Sequence, residues 1–225
     1  MVAMATSPVK TGSKRDQAYN QLRRLLILQQ IPEGQRLRET EWAQRLGVNR
    51  PALREALVRL AAEGLIVAGP KKGFFVPIIT PAEFEDIVKV RLVLEGSAID
   101  FICQSGLNTP KHLKPLVQAC DLFEQLIGDE YHLSAAEADH RFHETLVDLS
   151  MNRRLAAAYR HAPLPMIPPD IVFGKEWLVV ERCSLAEHRE IIEAILQNDI
   201  KRAKTCLDEH LRGIRQPFGS KLTPP

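Results

Sequence analysis

No stretch of these 225 residues approaches the ~20 consecutive apolar positions that a membrane-crossing helix requires, which argues against a membrane partner. The opening MVAMATSPVKTGSKR also lacks a continuous apolar segment, so residues 1–15 read as a loose tail rather than a secretory signal. Cysteine is scarce and scattered. Cys103, Cys120, Cys183 and Cys206 form no C-x-x-C and each lies among helix formers, which points to buried free thiols in a cytoplasmic protein rather than disulfides. After residue 80 strand-type alternation is missing, and no internal repeat occurs anywhere. Net charge is nearly absent too, at +2.

That near-neutrality hides an imbalance. Residues 1–80 hold 13 Lys+Arg against 6 Asp+Glu, while the remaining 145 residues hold 17 against 22. A basic first third on an acidic remainder suggests that the N-terminal part meets a polyanion and the rest has another task. With 45% hydrophobic and 26% charged residues, the chain has enough apolar side chains to fold over most of its length.

From Asp16 to Gln30, Tyr19, Leu22, Leu25 and Leu26 recur at helical spacing until Pro32 and Gly34 stop the pattern. ETEWAQRL (39–46) reads as a short helix and GVN (47–49) as a tight turn. RPALREALVRLAAEG (50–64) follows as a helix, with Asn49 as N-cap, Pro51 in the first turn and Leu53, Leu57 and Leu60 inward. LIVAGPKKGFFV (65–76) is two short apolar runs around a basic tip, Lys71-Lys72-Gly73, and predicts a hairpin. Residues 16–77 therefore read helix, helix, turn, helix, hairpin.

Beyond this, TPAE (80–83) is a capping box opening a helix to about Gln104 that carries Arg91 and Glu95. Further helices are predicted from Thr109-Pro110 to about Ile127, from Leu133 to Leu149, and from Asn152 to His161. PLPMIPPD (163–170), with four prolines, cannot be helix and reads as a long connection. Ser184 and Glu187 suggest a second capping box, opening a helix through Gln197, and a last helix runs from Ile200 to about Arg215.

Two patterns carry chemistry. Arg50 and Arg54 lie one turn apart at the start of a helix that follows a helix and a tight turn. That is the position from which arginine reaches guanine edges in the DNA major groove, each bidentate pair adding roughly 1–3 kcal/mol of discrimination. Arg38, Arg45 and Arg59 add phosphate-directed charge, Lys71 and Lys72 at the hairpin tip reach a neighbouring groove, and Gly73 permits close backbone approach. The second pattern is DHRFH (139–143), which puts Asp139 and His143 on one helical face. His188 and His210 fall on two other predicted helices, and one Asp with three His on three helices can converge in a bundle core. Taken singly, these residues read equally as a core histidine, a helix-start residue and a charge near a helix C-terminus. The other histidines, His112, His132, His140 and His161, read as surface.

GQRLRETEWAQRLGVNRPALREALVRLAAEGLIVAGPKKGFFV (34–76) closely resembles the winged-helix DNA-binding domain of the GntR family of bacterial transcription regulators. The landmarks are Leu37-x-Glu39, Leu46-Gly47-Val48, Asn49-Arg50, Leu53-Arg54-Glu55-Ala56-Leu57, Glu63-Gly64-Leu65 and Gly73. The resemblance implies DNA contacts from Arg50, Arg54 and the Gly73 wing tip, and Arg38, Asn49, Lys71 and Lys72 complete the candidate DNA-binding set. Some members carry arginine where this chain has Thr40, so the operator sequence does not transfer.

Residues 80–215 resemble the all-α FadR C-terminal (FCD) ligand-binding domain, through Arg91-x-x-Leu94-Glu95, Asp139-x-x-Phe142-His143, Asn152-x-x-Leu155, Glu187-His188, Asp199-x-x-x-Ala203 and His210-Leu211. This resemblance implies a divalent metal on Asp139, His143, His188 and His210: zinc foremost, with nickel, manganese or iron as alternatives. A small carboxylate effector would complete the metal shell, gripped by Arg91, with Asn152 as a second polar contact unless it only caps its helix. Arg91 is equally an i, i+4 partner of Glu95.

The expected fold is mainly α. It comprises a tail (1–15), a winged helix-turn-helix domain (16–78), an all-α helical-bundle effector domain (79–216) and a second tail (217–225). The expected function is that of a cytoplasmic homodimeric regulator, a repressor on a palindromic double-stranded operator, and not an enzyme. The rival is a metal-dependent hydrolase or lyase whose Asp/His site activates a water. No extra acid or base is paired to that site by a motif, and a DNA-reading module is attached.

Overall fold

The computed structural model describes residues 13–69, 73–162 and 177–213. The Pro-rich 163–170 segment, Lys71 and Lys72, and the 217–225 tail lie outside the described residues. Helix α1 (Lys14–Ile27) begins two residues before the expected start, because the Ser13 hydroxyl accepts from the Asp16 amide at 3.3 Å and caps it. Residues 13–15 therefore belong to the fold and not to a tail, and Arg15 pairs with Glu55 at 3.0 Å. The helix also ends earlier than its apolar pattern: Gln29 turns left-handed at φ 46° and the Gln30 amide donates back to the Leu25 carbonyl at 2.9 Å.

Helix α2 (Glu39–Leu46) stops at Gly47, whose φ of 64° suits glycine, and α3 (Arg50–Ala62) starts where the Asn49 side chain accepts from the Ala52 amide at 2.9 Å. Buried Val48 pins the turn between them. Three two-residue strands, β1 (Arg36–Leu37), β2 (Val67–Ala68) and β3 (Phe74–Phe75), form an antiparallel sheet in the order β1-β3-β2. The sequence reading found the β2–β3 hairpin and missed β1, which is too short for alternation to register.

Tyr19, Leu22, Leu37, Trp42, Leu53, Leu57, Leu60 and Ile66 make the core of this head. Inside it the Tyr19 hydroxyl donates to the Glu63 carboxylate (2.7 Å to Oε2), and the Arg59 guanidinium sits 3.6 Å above the Tyr19 ring. Arg59, expected to face phosphate, is thus part of a structural cluster, and burial together with Glu63 pushes the Tyr19 phenol up to about 12. Tyr19→Phe is expected to lower stability by about 1–3 kcal/mol, because Glu63 keeps its burial and loses its shorter donor, keeping only the Arg59 Nε at 3.4 Å among the described residues. Urea unfolding of the two proteins measures it, and equal midpoints would contradict it.

The remaining helices are α4 (Pro81–Gln104), α5 (Pro110–Gly128), α6 (His132–Leu149), α7 (Arg153–Tyr159), α8 (Trp177–Leu196) and α9 (Ile200–Gly213), and no strand occurs past residue 80 among the described residues. Thr80 caps α4 as expected, accepting from the Glu83 amide at 3.2 Å. The second capping box is not one: Ser184 is buried in the middle of α8, and Glu187 turns toward α9 instead. In the bundle α6 packs on α4 and α5, α8 on α5 and α9, and α9 on α4. All four cysteines are free thiols, but Cys183 is exposed where a buried one was expected.

The two units touch along α1 and α6. Ile27 and Leu28 pack on Ala136, Arg24 pairs with Glu137 at 3.0 Å, and Arg23 pairs with Glu144 and lies 3.4 Å from His140. His140 is therefore buried in this seam and is not a surface residue. Burial alone would raise the Glu144 carboxyl, but the His140 hydrogen bond and the charges of His140 and Arg23 hold it at about 2.

Candidate functional site

Asp139 and His143 on α6, His188 on α8 and His210 on α9 each offer a ligand atom, and these atoms all lie within 4.8 Å of one another. That is close to the ~4 Å spanned by two opposite metal–ligand bonds of ~2.0–2.2 Å. The three imidazoles are fully buried, and Asp139 is partly so. The reason is packing order: α6, α8 and α9 turn their apolar faces inward, and the four polar groups are enclosed there together with Arg91, Glu95 and Tyr159.

Each partner restricts a ring. The His143 Nδ1 lies 2.6 Å from Glu95 Oε2, and the His210 Nδ1 lies 2.8 Å from Glu187 Oε2. A carboxylate accepts, so each Nδ1 carries the hydrogen; these tautomers are assigned from the partners. Both Nε2 lone pairs then face each other across 2.9 Å. Two lone pairs at that separation repel unless a cation, proton or metal, lies between them. His188 adds a second sign. Among the described residues neither of its buried ring nitrogens has a hydrogen-bond partner, its Nε2 is 3.4 Å from Asp139 Oδ1, and the ring stacks on Phe142 with centroids 3.8 Å apart. Polar nitrogens are rarely buried unused, so this donor set suits a divalent ion of borderline softness.

Electrostatics agree with that chemistry. Burial holds His143 and His188 well below the ordinary imidazole value, with the Arg91 charge pushing the same way, so both rings are neutral and able to ligate. Burial raises the Asp139 carboxyl from its ordinary value, against the charge of Arg91. A bound cation reverses that pressure.

Arg91 resolves its two readings in an unexpected way. It does pair with Glu95 (Nε to Oε1, 2.7 Å), but in the interior rather than on the surface, and its Nη2 is buried without a partner. Glu95 also accepts from the Tyr159 hydroxyl at 3.2 Å, so one carboxylate ties together α4, α6 and α7. Asn152 acts as the N-cap of α7, its side-chain oxygen accepting from the Arg154 and Leu155 amides at 3.1 Å each. Glu95 and Glu187 went unnoticed as site residues in the sequence; Glu95 four residues after Arg91, and Glu187 directly before His188, were the available signals.

The head presents a separate surface. Arg36, Arg38, Glu39, Thr40, Arg50, Arg54 and Gly73 line a cleft of about 670 Å³ between α2, α3 and the β2–β3 hairpin. Arg50 and Arg54 are largely exposed, and Glu39 lies between them at 3.8 and 3.9 Å, distances at which an exposed pair adds little stability. Asn49 is exposed beside Arg50 while its oxygen is used as a cap. Gly73 has a structural reason to be glycine: its φ is 156°, and a Cβ would stand 3.1 Å from Arg36 Nε. Arg45 stacks over Trp42 at 4.6 Å instead of pointing freely outward.

Residues 14–76 match the bacterial regulatory proteins of the gntR family, and residues 86–213 match the FCD domain. An HTH-type transcriptional regulator in an unstable DNA locus of Streptomyces ambofaciens is 30% identical over 210 residues, covering 90% of this chain and 84% of its own. The HTH-type transcriptional regulator YdhC of Bacillus subtilis is 29% identical over 196 residues, covering 86% of each. The solved Escherichia coli McbR/YncC structure superposes with a TM-score of 0.72 at 20% identity, over 90% of this chain and 95% of that one, a likeness of fold. Among the described residues no helix is long and apolar enough to cross a membrane.

Proposed function

The chain belongs to the GntR family of bacterial regulatory proteins and carries its FCD domain, and on that premise we propose a cytoplasmic, homodimeric repressor of a small-acid catabolic operon. It holds a palindromic operator through two reading heads, and a small carboxylate that completes the shell of a divalent ion, zinc foremost, controls that hold. DNA binding and transcriptional regulation follow from the family. Repression, dimerisation, the ion and the effector are the proposal.

The observation that carries the sensing half is the pair of Nε2 atoms on His143 and His210 facing each other at 2.9 Å while both Nδ1 atoms are engaged by carboxylates. Asp139 and His188 complete the ligand set, and the ion supplies Lewis-acid attraction for a carboxylate oxygen. The buried Nη2 of Arg91 offers a charged donor for the same anion. The nearby carboxylates of Glu95 and Glu187 are committed to imidazoles, which favours holding a ligand over abstracting a proton and so disfavours a hydrolase.

In the head, Arg50 and Arg54 read base edges from the start of α3. Arg38 and Asn49, with the wing residues Lys71, Lys72 and Gly73, approach the backbone and the neighbouring groove. Coupling runs through α6, which bears Asp139 and His143 on one face and Glu137, His140 and Glu144, against α1 of the head, on another. The shift in operator affinity can be no larger than the effector's preference for one arrangement of that seam.

A gel-shift of the full-length protein on DNA from upstream of its own gene tests this, run with zinc, with a chelator, and with a panel of small carboxylic acids plus zinc. The expected result is a retarded complex whose apparent affinity changes by roughly 5–150-fold with one class of acid, and only with the ion present. A complex indifferent to every acid and to the chelator would overturn the sensing half, and no complex on any fragment would overturn the whole.

A further inference from the structure

We propose that Glu95 and Glu187 are positioning residues for the ion, each setting the orientation and donor strength of one ligating histidine, with Glu95 the stronger. This rests on the metal-site reading above. An imidazole that gives its Nδ1–H to a carboxylate is locked in the tautomer that leaves Nε2 free to ligate, and the partial negative charge raises the basicity of that nitrogen. His143 has such a partner in Glu95 at 2.6 Å and His210 has one in Glu187 at 2.8 Å. Among the described residues His188 has no carboxylate hydrogen-bonded to its ring, which packs against the Phe142 and Phe123 rings. The ion is therefore gripped unequally: two backed imidazoles and one held only by packing.

The two carboxylates differ in what holds them. Glu95 is fully buried, and its other oxygen receives the Arg91 Nε at 2.7 Å and the Tyr159 hydroxyl at 3.2 Å, so it cannot swing away from His143. Glu187 sits at the edge of the cluster with its side chain 33% exposed, where water screens its charge and competes for its oxygens. Removing an outer carboxylate of this kind lowers metal affinity by about 10–100-fold, and the difference in burial puts Glu187 at the lower end and Glu95 at the upper.

The test titrates the full-length protein with Co²⁺, following its visible absorption and competing it against a chelator. The variants are Glu187→Gln, Glu95→Gln and, as a control, Glu193→Gln, which lies on the same helix as Glu187 and hydrogen-bonds with Gln197 and Arg202. Glu187→Gln is expected to raise the Co²⁺ dissociation constant about 10-fold, keep the wild-type absorption bands because the ligands are unchanged, and leave the unfolding midpoint of the chelator-treated protein where it was. Glu95→Gln is expected to raise the constant about 100-fold, and Glu193→Gln not at all. Should Glu95→Gln fail to fold, because it strips Arg91 of its buried counter-charge, Glu187→Gln carries the test. Wild-type affinity in Glu187→Gln, or an equal loss in Glu193→Gln, would overturn the proposal while leaving the metal site standing. A wild-type protein that takes up no Co²⁺ would overturn the metal site itself.

Discussion

His143→Ala is expected to yield protein without stoichiometric metal and with a thermal midpoint roughly 10 °C below that of the zinc-loaded wild type. His143 is central to the cluster: its Nε2 faces His210 and its Nδ1 is held by Glu95. An ion that binds only the folded state adds RT ln(1 + [L]/Kd), about 3–4 kcal/mol at a hundred to a thousand times its dissociation constant. For a chain of this size each 1 kcal/mol moves the midpoint by roughly 2–4 °C. Part of any loss will come from the hole left in the packing and from Glu95 losing a donor, and a chelator separates the contributions. Chelator treatment should lower the wild type most of the way to the variant and leave the variant unmoved. Full metal occupancy in purified His143→Ala, by elemental analysis, would contradict the assignment of this residue as a ligand.

The second large effect lies in the head. Arg50→Ala and Arg54→Ala are each expected to weaken operator binding by about 1–3 kcal/mol, and the double variant to fall to the affinity of random DNA, which for such proteins lies about 10³-fold or more below the specific level. Neither side chain is buried. Their contact is with Glu39 at 3.8 and 3.9 Å, so the fold should survive both changes with an unaltered unfolding midpoint. The salt dependence separates base reading from phosphate contact. A variant that loses only discrimination keeps its binding to random DNA and its slope against salt, whereas loss of a phosphate contact weakens all sequences alike. Retained operator affinity in both single variants would remove α3 as the reading helix.

Much of this was legible in the chain because the signals were local. The four-residue spacing of Asp139 and His143, the Gly47-Val48-Asn49 turn and the Thr80 cap each depend on residues within one turn of each other, and each appears as the pattern predicts. What escaped depends on distant partners. Strand β1 exists only because Phe74 and Phe75 lie beside Arg36 and Leu37, a pairing across some forty residues that two residues cannot announce. Ser184 and Glu187 have the spacing of a helix start, yet α8 already runs through them, and Glu187 is drawn to His210 instead. His140 points away from the Asp139–His143 face, which suggests solvent; in fact α1 of the other unit covers that side. The Arg91–Glu95 pair was written in the spacing, but its burial was set by α6 and α7 closing over it.

His188 has a consequence for the amount of regulator in the cell. Its two buried nitrogens have no hydrogen-bond partner among the described residues, an arrangement that costs about 1–3 kcal/mol, a large share of the margin separating a folded molecule from an open one. If the proposed ion binds there, copies without it would open more often and meet proteases first, since degradation follows the population of open molecules. On the proposed function, scarcity of the ion would then thin the pool of regulator as well as loosen its hold, a slow response through turnover laid over the fast one through DNA affinity.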